Sequence, residues 1–254
     1  MRKIVFILLI VGATVVAAWF WLPKDQQIEP KVNQAPAATP AELKTIQDRL
    51  VEFGEPVRRR LAPYFVQAGV HYPPSRLAFV AIKETRRLEI WAANEGEDLR
   101  FIREYDLLAA SGRLGPKLRE GDRQVPEGLY RIVLLNPNSR YHLSLRVSYP
   151  NEFDLAQAGR EGRAEPGTDI MIHGGARSRG CLAVGDEGAE DLFVVAALTE
   201  TREIPLLISP VDFRVREFGA PADAPSWTEE LYREIRAKLA AFQRSPAIKT
   251  VDAD

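Results

Sequence analysis

The 254-residue sequence predicts a mainly β domain that also contains helices, an α+β fold. Apolar and polar residues alternate through several segments between positions 77 and 149, which is the pattern of half-buried strands. Before and after this region, apolar residues recur at helical spacing instead. The composition, 46% hydrophobic and 27% charged, is that of a globular protein. A formal net charge of −1 gives no overall field for binding nucleic acid.

The first 22 residues are predicted to be a membrane anchor or a signal segment. Nineteen uncharged, mostly apolar residues, 4–22, follow Arg2 and Lys3. As a helix they would span about 28 Å, close to the hydrocarbon thickness of a bilayer. The two positive charges should stay in the cytoplasm, so the rest of the chain is expected to be exported across the membrane. A cleaved signal peptide is the alternative and would free the exported protein from the membrane, but the bulky Trp19 and Trp21 favour the anchor.

Residues 23–75 are predicted to form a linker followed by a helical segment. The stretch 23–40 is rich in Pro, Ala and Gln and has no periodic apolar pattern, which is typical of a tether. Thr39 followed by Pro40 is typical of a helix start. A second short helix is expected over residues 56–68.

The main predicted domain, residues 76–210, alternates strands with long loops. Strands are predicted at 77–83, 87–92, 99–110, 128–135, 141–149, 168–173 and 204–208. In the last of these, Pro205 indicates an edge or irregular position. Loops are predicted at 111–127 and 151–167, and helices at 186–201 and, within the tail 211–254, at 228–244.

Cys181 is the only cysteine of the chain, and His173 lies eight positions before it. A thiol becomes a strong nucleophile when it loses its proton, so a nearby imidazole predicts a nucleophilic site. Arg177 and Arg179 lie between the two residues and are candidates to favour the thiolate or to hold a substrate carboxylate. A thiolate–imidazolium pair of this kind should react well below about pH 8.

Plainer interpretations of the same residues stay open. Cys181 could be a buried apolar residue, and Arg177 and Arg179 could belong to a solvated loop surface. The single cysteine excludes a disulfide within the chain. Three scattered histidines and one cysteine give no recognisable metal-ligand spacing, so neither a metal nor a cofactor is expected.

Several other motifs accompany the His173–Cys181 segment in a fixed order. They are 111–117 (SGRLGPK), 120–122 (EGD), 125–130 (VPEGLY), 136–145 (NPNSRYHLSL) and 149–151 (YPN). Together these runs resemble the YkuD-type L,D-transpeptidase catalytic domain, and the last two resemble its YafK-like branch. The resemblance covers residues 77–210. It implies a mixed β-sandwich or barrel with a helix after the catalytic cysteine, flanked by an N-terminal anchor and terminal helices.

The resemblance also implies roles for individual residues. Members of this family act on periplasmic peptidoglycan through a cysteine acyl-enzyme, so Cys181 would be the nucleophile and His173 its general base and later acid. The resemblance thus implies that the anchored protein lies at the periplasmic face of the inner membrane, or free in the periplasm if the first segment is cleaved. Ser178 and Gly180 fall on the family's Ser-x-Gly-Cys pattern. The backbone N–H of Cys181, with that of Gly180, is predicted to stabilise the oxyanion. Arg179 stands where many members have a second histidine, and since arginine cannot act as a base, His173 is the local base that remains.

The expected substrate is a stem peptide of peptidoglycan, attacked at its diaminopimelate carbonyl. An amine acceptor would give transpeptidation and water would give hydrolysis, including release of a peptidoglycan-linked lipoprotein. A non-catalytic peptidoglycan-binding module is an alternative of another class. Candidate substrate-binding residues are Arg177, Arg179, Gly174, Tyr141 and His142. For His142, a strand histidine hydrogen-bonded to the backbone is the plainer interpretation.

Overall fold

The computed structural model describes residues 43–200 and 203–244, which belong to one compact unit. In those ranges the helices are α1 (Ile46–Ala68), α2 (Glu152–Arg160), α3 (Gly185–Leu198) and α4 (Thr228–Leu239). The strands are β1 (Arg76–Ile82), β2 (Arg87–Ala93), β3 (Arg100–Asp106), β4 (Ala109–Ala110), β5 (Gly128–Ser139), β6 (His142–Val147), β7 (Met171–His173), β8 (Leu182–Ala183) and β9 (Ile204–Ser209). The predicted membrane segment, residues 1–22, lies outside the described residues. Among the helices that are described, none is long and apolar enough to span a bilayer.

The strands form one mixed sheet in the order β3-β2-β1-β9-β5-β6-β7-β8-β4. Neighbouring strands are antiparallel except for two parallel pairs, β1 with β9 and β7 with β8. The predicted α+β class is therefore confirmed. The second parallel pair matters for function, because the His173–Cys181 segment connects its two strands.

Strand β1 is buried on both of its faces. Leu77 and Phe79 pack into a core with residues of α1 and α3 on one side of the sheet. Ala78 and Val80 pack into a second core with residues of α4 on the other side. A strand covered on both faces needs apolar side chains at nearly every position, which explains the run LAFVAI.

One predicted loop contains a helix. Residues 151–167 were expected to be irregular, but α2 occupies their first half. Asn151 accepts a hydrogen bond from the Asp154 N–H while the Asp154 carboxylate accepts one from the Asn151 N–H, which forms a capping box. The loop prediction is therefore wrong for residues 152–160.

Two other element predictions need correction. Helix α1 begins at Ile46, capped by Thr45, rather than near Thr39, and it continues through Pro56 without a second start. Strand β9 lies in the interior of the sheet between β1 and β5, so the edge position predicted from Pro205 is wrong. Pro205 is tolerated because pairing with β1 begins only at the next residue.

Candidate active site

The candidate base ends strand β7, and the candidate nucleophile directly precedes the neighbouring parallel strand β8. His173 is the last residue of β7 and pairs with Ala183 of β8. Cys181 stands two residues before Ala183, so its side chain lies on the same face of the sheet as the histidine ring. One strand spacing and two residue rises separate their Cα atoms by about 8 Å. The register therefore places the backbones of the two predicted catalytic residues in adjacent segments at one end of this strand pair.

The Cys181 thiol is half-buried at the end of this strand pair. Its sulfur donates a hydrogen bond to the Asp169 carbonyl oxygen at 3.7 Å. Burial raises the pKa of the Cys181 thiol, and the negative charge of Asp169 adds to this effect. The Met171 N–H and the positive charge of Lys117 oppose it without reversing it.

His173 is 3% exposed and is fixed in one tautomer. Its Nδ1 atom lies 2.6 Å from the Gly174 carbonyl oxygen, which can only accept a hydrogen bond. Nδ1 therefore carries the proton in the neutral ring, and the lone pair is on Nε2. The Tyr141 ring stacks on the imidazole with 4.7 Å between centroids. Burial lowers the pKa of His173, although the bond to Gly174 opposes the shift.

The two pKa shifts both favour keeping the proton on the Cys181 sulfur rather than on the His173 ring. A raised thiol pKa and a lowered imidazole pKa both favour a neutral thiol beside a neutral ring. This differs from the ion pair expected from the sequence, because burial is a property of the folded chain. In the part of the chain that the structure describes, no hydrogen bond joins Cys181 to His173, and the thiol donates its hydrogen bond to the Asp169 carbonyl oxygen instead.

Two serines fix the loop that carries the cysteine. Ser178 Oγ donates to the Cys181 carbonyl oxygen at 2.7 Å and accepts from the Ser111 N–H at 3.1 Å. Ser111 Oγ in turn donates to the Arg123 carbonyl oxygen at 2.7 Å. Through these bonds the 111–127 loop holds the backbone of Cys181. Ser178, predicted from the family pattern, thus contacts the peptide group of the candidate nucleophile.

Gly180 adopts a backbone conformation that favours glycine, with φ +104°. Its N–H donates to Ser111 Oγ at 2.6 Å. That N–H is therefore not available to a substrate oxygen in this arrangement, and the Cys181 N–H is the predicted oxyanion donor that remains.

Gly174 is required by close packing behind the histidine. A Cβ at this position would come within 2.5 Å of Asp186 Oδ1 and within 2.7 Å of the Tyr141 carbonyl oxygen. Asp186, near the start of α3, also accepts a hydrogen bond from the Gly175 N–H at 2.8 Å. Gly174 therefore lies under the base as a packing residue.

The remaining predicted residues lie in different surroundings. Arg177 and Arg179 are exposed, and neither forms an ion pair within residues 43–200 and 203–244. Neither contributes to the Cys181 pKa shift, for which Lys117 is the cation that acts. His142 lies 3.0 Å from Glu190 of α3 and packs edge-on against Phe53 of α1. A role for these three side chains in substrate binding stays a prediction.

Three contributors to the site were not singled out from the sequence. Ser111 and Lys117 belong to the 111–117 motif, so the motif was noticed but its contacts with the nucleophile loop were not. Asp169, whose backbone carbonyl oxygen accepts the hydrogen bond of the thiol, carries no local signal because it lies in a polar run before β7. No group of three or more His, Cys, Asp or Glu suited to holding a metal ion occurs in the described ranges.

A mixed sheet with a buried histidine at the end of one strand and a cysteine directly before the neighbouring parallel strand places the protein in the class of candidate cysteine acyl-transfer enzymes. Residues 75–208, more than half of the chain, match the family model for the YkuD L,D-transpeptidase catalytic domain. The chain belongs to this L,D-transpeptidase family.

Similar proteins agree with this family. The chain is 37% identical over 173 residues to the Escherichia coli (strain K12) protein named "Putative L,D-transpeptidase YafK", covering 66% of this chain and 67% of that one. Weaker structural likenesses include the helical cell shape determining protein Pgp2 (K307A mutant) from Campylobacter jejuni, with a TM-score of 0.44, 19% identity, and coverage of 77% of this chain and 61% of that one. Bd1075 of Bdellovibrio bacteriovorus has a TM-score of 0.39 and 23% identity, with coverage of 67% and 56%. At these TM-scores the structural likenesses carry no further weight.

Proposed function

We propose that this protein is a periplasmic peptidoglycan L,D-transpeptidase that works through a Cys181 acyl-enzyme. Its substrate would be a tetrapeptide stem, attacked at the diaminopimelate carbonyl. Membership of the family supports the reaction class. The observation that supports the proposal is the pairing of β7 with β8, in which Cys181 directly precedes β8 and the bond from Nδ1 to Gly174 leaves the lone pair of His173 on Nε2.

The first half-reaction follows from the tautomer of His173. Nε2 accepts the thiol proton while sulfur forms a bond to the substrate carbonyl carbon, and the carbonyl oxygen becomes an oxyanion. The Cys181 N–H stabilises this oxyanion. His173 then returns the proton to the leaving amine as the peptide C–N bond breaks. The stem peptide stays attached as a thioester.

The second half-reaction decides the product. An incoming amine attacks the thioester, transfers its proton to His173 and restores the thiol, which is transpeptidation. Water at the same position gives hydrolysis by the same steps and releases the stem peptide as a free acid. When the leaving amine of the first half-reaction belongs to a lipoprotein linked through diaminopimelate, that lipoprotein is released as the thioester forms. The proton that His173 accepts in each step is held by the ring only briefly, which suits an imidazole whose pKa burial has lowered.

Product analysis by mass spectrometry tests the proposal. The purified full chain is incubated with defined muropeptides, with an amine acceptor present or absent, and separately with lipoprotein-linked sacculi. We expect release of the terminal D-alanine and formation of a new amide. Replacement Cys181→Ala should abolish turnover, and His173→Gln should lower it by about 10³-fold or more. His71→Gln, at an exposed histidine, is the matched control and should leave turnover unchanged.

Two results would contradict the proposal. Full turnover by the Cys181→Ala variant would reject the acyl-enzyme. Binding of the muropeptide without any turnover in the unmodified protein would favour a peptidoglycan-binding module. Free acid products in place of cross-links would keep the acyl-enzyme but identify a hydrolase.

A further inference from the structure

A cavity of about 600 Å³ opens over β5 and β6 on the sheet face that carries the cysteine. Arg146 of β6 lines it and pairs in register with Met171 of β7. Cys181 directly precedes Leu182, the partner of Ile172, so it lies beside Met171. Residues in register on neighbouring strands point to the same side of a sheet. The cavity and the thiol therefore share one face.

The cavity begins within reach of a peptide attached to the cysteine. Arg146 and Cys181 are two strand spacings apart, about 10 Å between Cα atoms. An extended peptide covers that distance with about three residues. The two sites are also linked by contact, because Arg146 forms an ion pair at 3.0 Å with Asp169, whose carbonyl oxygen accepts the thiol hydrogen bond.

The charges on the cavity wall favour an anionic ligand. Arg131 and Arg146 both line the cavity. Arg131 is exposed and forms no ion pair with any other residue that the structure describes, so its charge is available. The capped start of α2 at Asn151 adds the positive end of a helix dipole to the same wall. Glu152 is the one carboxylate among the lining residues.

Apolar side chains on the remaining wall of the cavity restrict the ligand further. Val133 and Leu155 line the cavity and are 48% and 52% exposed, respectively. Apolar side chains beside two guanidinium groups suit a peptide with carboxylates and short hydrocarbon segments, rather than a small inorganic anion.

We propose that this cavity binds the acidic segment of the stem peptide, in which a carboxylate pairs with the guanidinium group of Arg131. The inference rests on the proposed function, since a stem peptide carries several carboxylates along a short chain. Arg131 is a specificity-determining residue for the acyl donor. Arg146 has a different effect, because it neutralises Asp169 beside the thiol.

Binding to an inactive full-length chain tests the site separately from catalysis. In a Cys181→Ala background, calorimetry would measure the dissociation constants of a tetrapeptide stem and of the same peptide with its carboxylates amidated. Arg131→Gln should weaken binding of the free-acid peptide by about tenfold. The amidated peptide should bind the unmodified and Arg131→Gln forms equally. Arg59→Gln, which removes an exposed charge on α1, is the matched control and should change neither constant.

Thermal unfolding checks that the Arg131→Gln variant is folded. Its unfolding temperature should not change, because the Arg131 side chain makes no hydrogen bond in the described residues. Equal binding by the Arg131→Gln and Arg59→Gln forms would overturn the proposal. So would a tenfold loss that is the same for the amidated peptide. Binding that depends on Arg131 in a protein without turnover would support this site while rejecting the proposed function. Turnover insensitive to Arg131 would reject the site alone.

Discussion

The cysteine and the histidine of the candidate site are held by two different kinds of structure. The Cys181 loop is fixed by side-chain hydrogen bonds from another loop, 111–127, through Ser178 and Ser111. His173 is fixed by the β6–β7 ladder and by the stacked ring of Tyr141. The cysteine loop, here called the polar side, therefore depends on directional polar contacts. The histidine with its strand and the Tyr141 ring, here called the packing side, depends on backbone pairing and packing.

The polar side continues into a buried ion pair. Lys83, directly after β1, donates to Glu127 Oε1 at 2.7 Å and to the carbonyl oxygens of Gly115 and Val125. The Tyr232 hydroxyl of α4 donates to the other Glu127 oxygen at 2.8 Å. This network fixes the 111–127 loop to the rest of the domain, so the position of Cys181 depends on groups far from it in sequence. Such a network loses much when one member is removed, whereas a stacked ring contributes a small, separable amount.

The largest effect is expected from breaking the ion pair. Lys83→Met would leave the Glu127 carboxylate buried without its cation and should lower the free energy of unfolding by about 3–5 kcal/mol. Urea unfolding measures this change. The double variant Lys83→Met with Glu127→Leu should be less destabilised than the single one, because no charge is left unpaired. Lys238→Met, at an exposed position, is the control and should change stability by less than about 0.5 kcal/mol. A loss below about 1 kcal/mol for Lys83→Met would mean that the pair does not hold the loop.

The next effect concerns pH and the far end of the same network. Tyr130 hydrogen bonds to the Glu127 carbonyl oxygen and to Asp154, and burial raises the pKa of Asp154 from 3.8 to about 6. Between pH 3.8 and about 6 the folded state binds more protons than the unfolded state. The stabilisation of the folded state by protonation of Asp154 is therefore complete below pH 3.8 and is lost as the pH rises through about 6. Asp154→Asn, neutral throughout, should gain stability relative to the unmodified protein by up to about 3 kcal/mol between pH 4 and pH 7.

Asp122 gives a control of opposite sign. Burial alone would raise the pKa of Asp122, but bonds from Lys117 and from backbone N–H groups outweigh it and lower the pKa. Its contribution is present above the unfolded pKa and is lost as the pH falls, so Asp122→Asn should cost most near pH 7. Urea unfolding at several pH values measures both variants. A pH-independent difference for Asp154→Asn would contradict the prediction.

A smaller effect is expected where the polar side meets the nucleophile. Ser178→Ala would leave the Ser111 N–H and the Cys181 carbonyl oxygen without their partner, at about 1–2 kcal/mol of stability. Turnover should fall by about tenfold as the loop loosens. Ser226→Ala is the matched control, since the Ser226 hydroxyl forms no hydrogen bond within the described ranges. Unchanged turnover in Ser178→Ala would show that the serine is not needed to position the cysteine.

Much of this arrangement could be predicted from the sequence, because it depends on local pattern. Two short, mainly apolar runs separated by a polar turn identified the hairpin of β1 and β2, and the His173–Cys181 segment with its flanking motifs indicated the family. The helix α2 was missed because its capping box lies in a polar run that also suits a loop. The interior position of β9 was missed because Pro205 is a general signal for edges, and only the register shows that it precedes the β1 pairing.

The site was less predictable where it depends on distant residues. Ser178 and Ser111 are 67 positions apart, and no spacing rule joins them. The direction of the thiol pKa shift was also missed, since the sequence shows the charged neighbours of Cys181 but not its burial. The contacts of the polar side are therefore mainly known from the folded structure. The position of His173 on the packing side could be predicted more directly from the strand pattern of the sequence.

The smallest effect is expected on the packing side. Tyr141→Ala removes the ring that covers His173 and exposes the imidazole to water, which favours the charged form. The pKa of His173 should therefore rise toward its ordinary value of 6.5, as measured by NMR titration, and the acidic limb of the turnover profile should move to higher pH. The loss of stacking, about 1 kcal/mol, should lower turnover by about fivefold. Tyr141→Phe keeps the ring and should change neither quantity. If Phe is as damaging as Ala, the hydroxyl rather than the stacked face supports the base, and the two sides of the site are more alike than their contacts indicate.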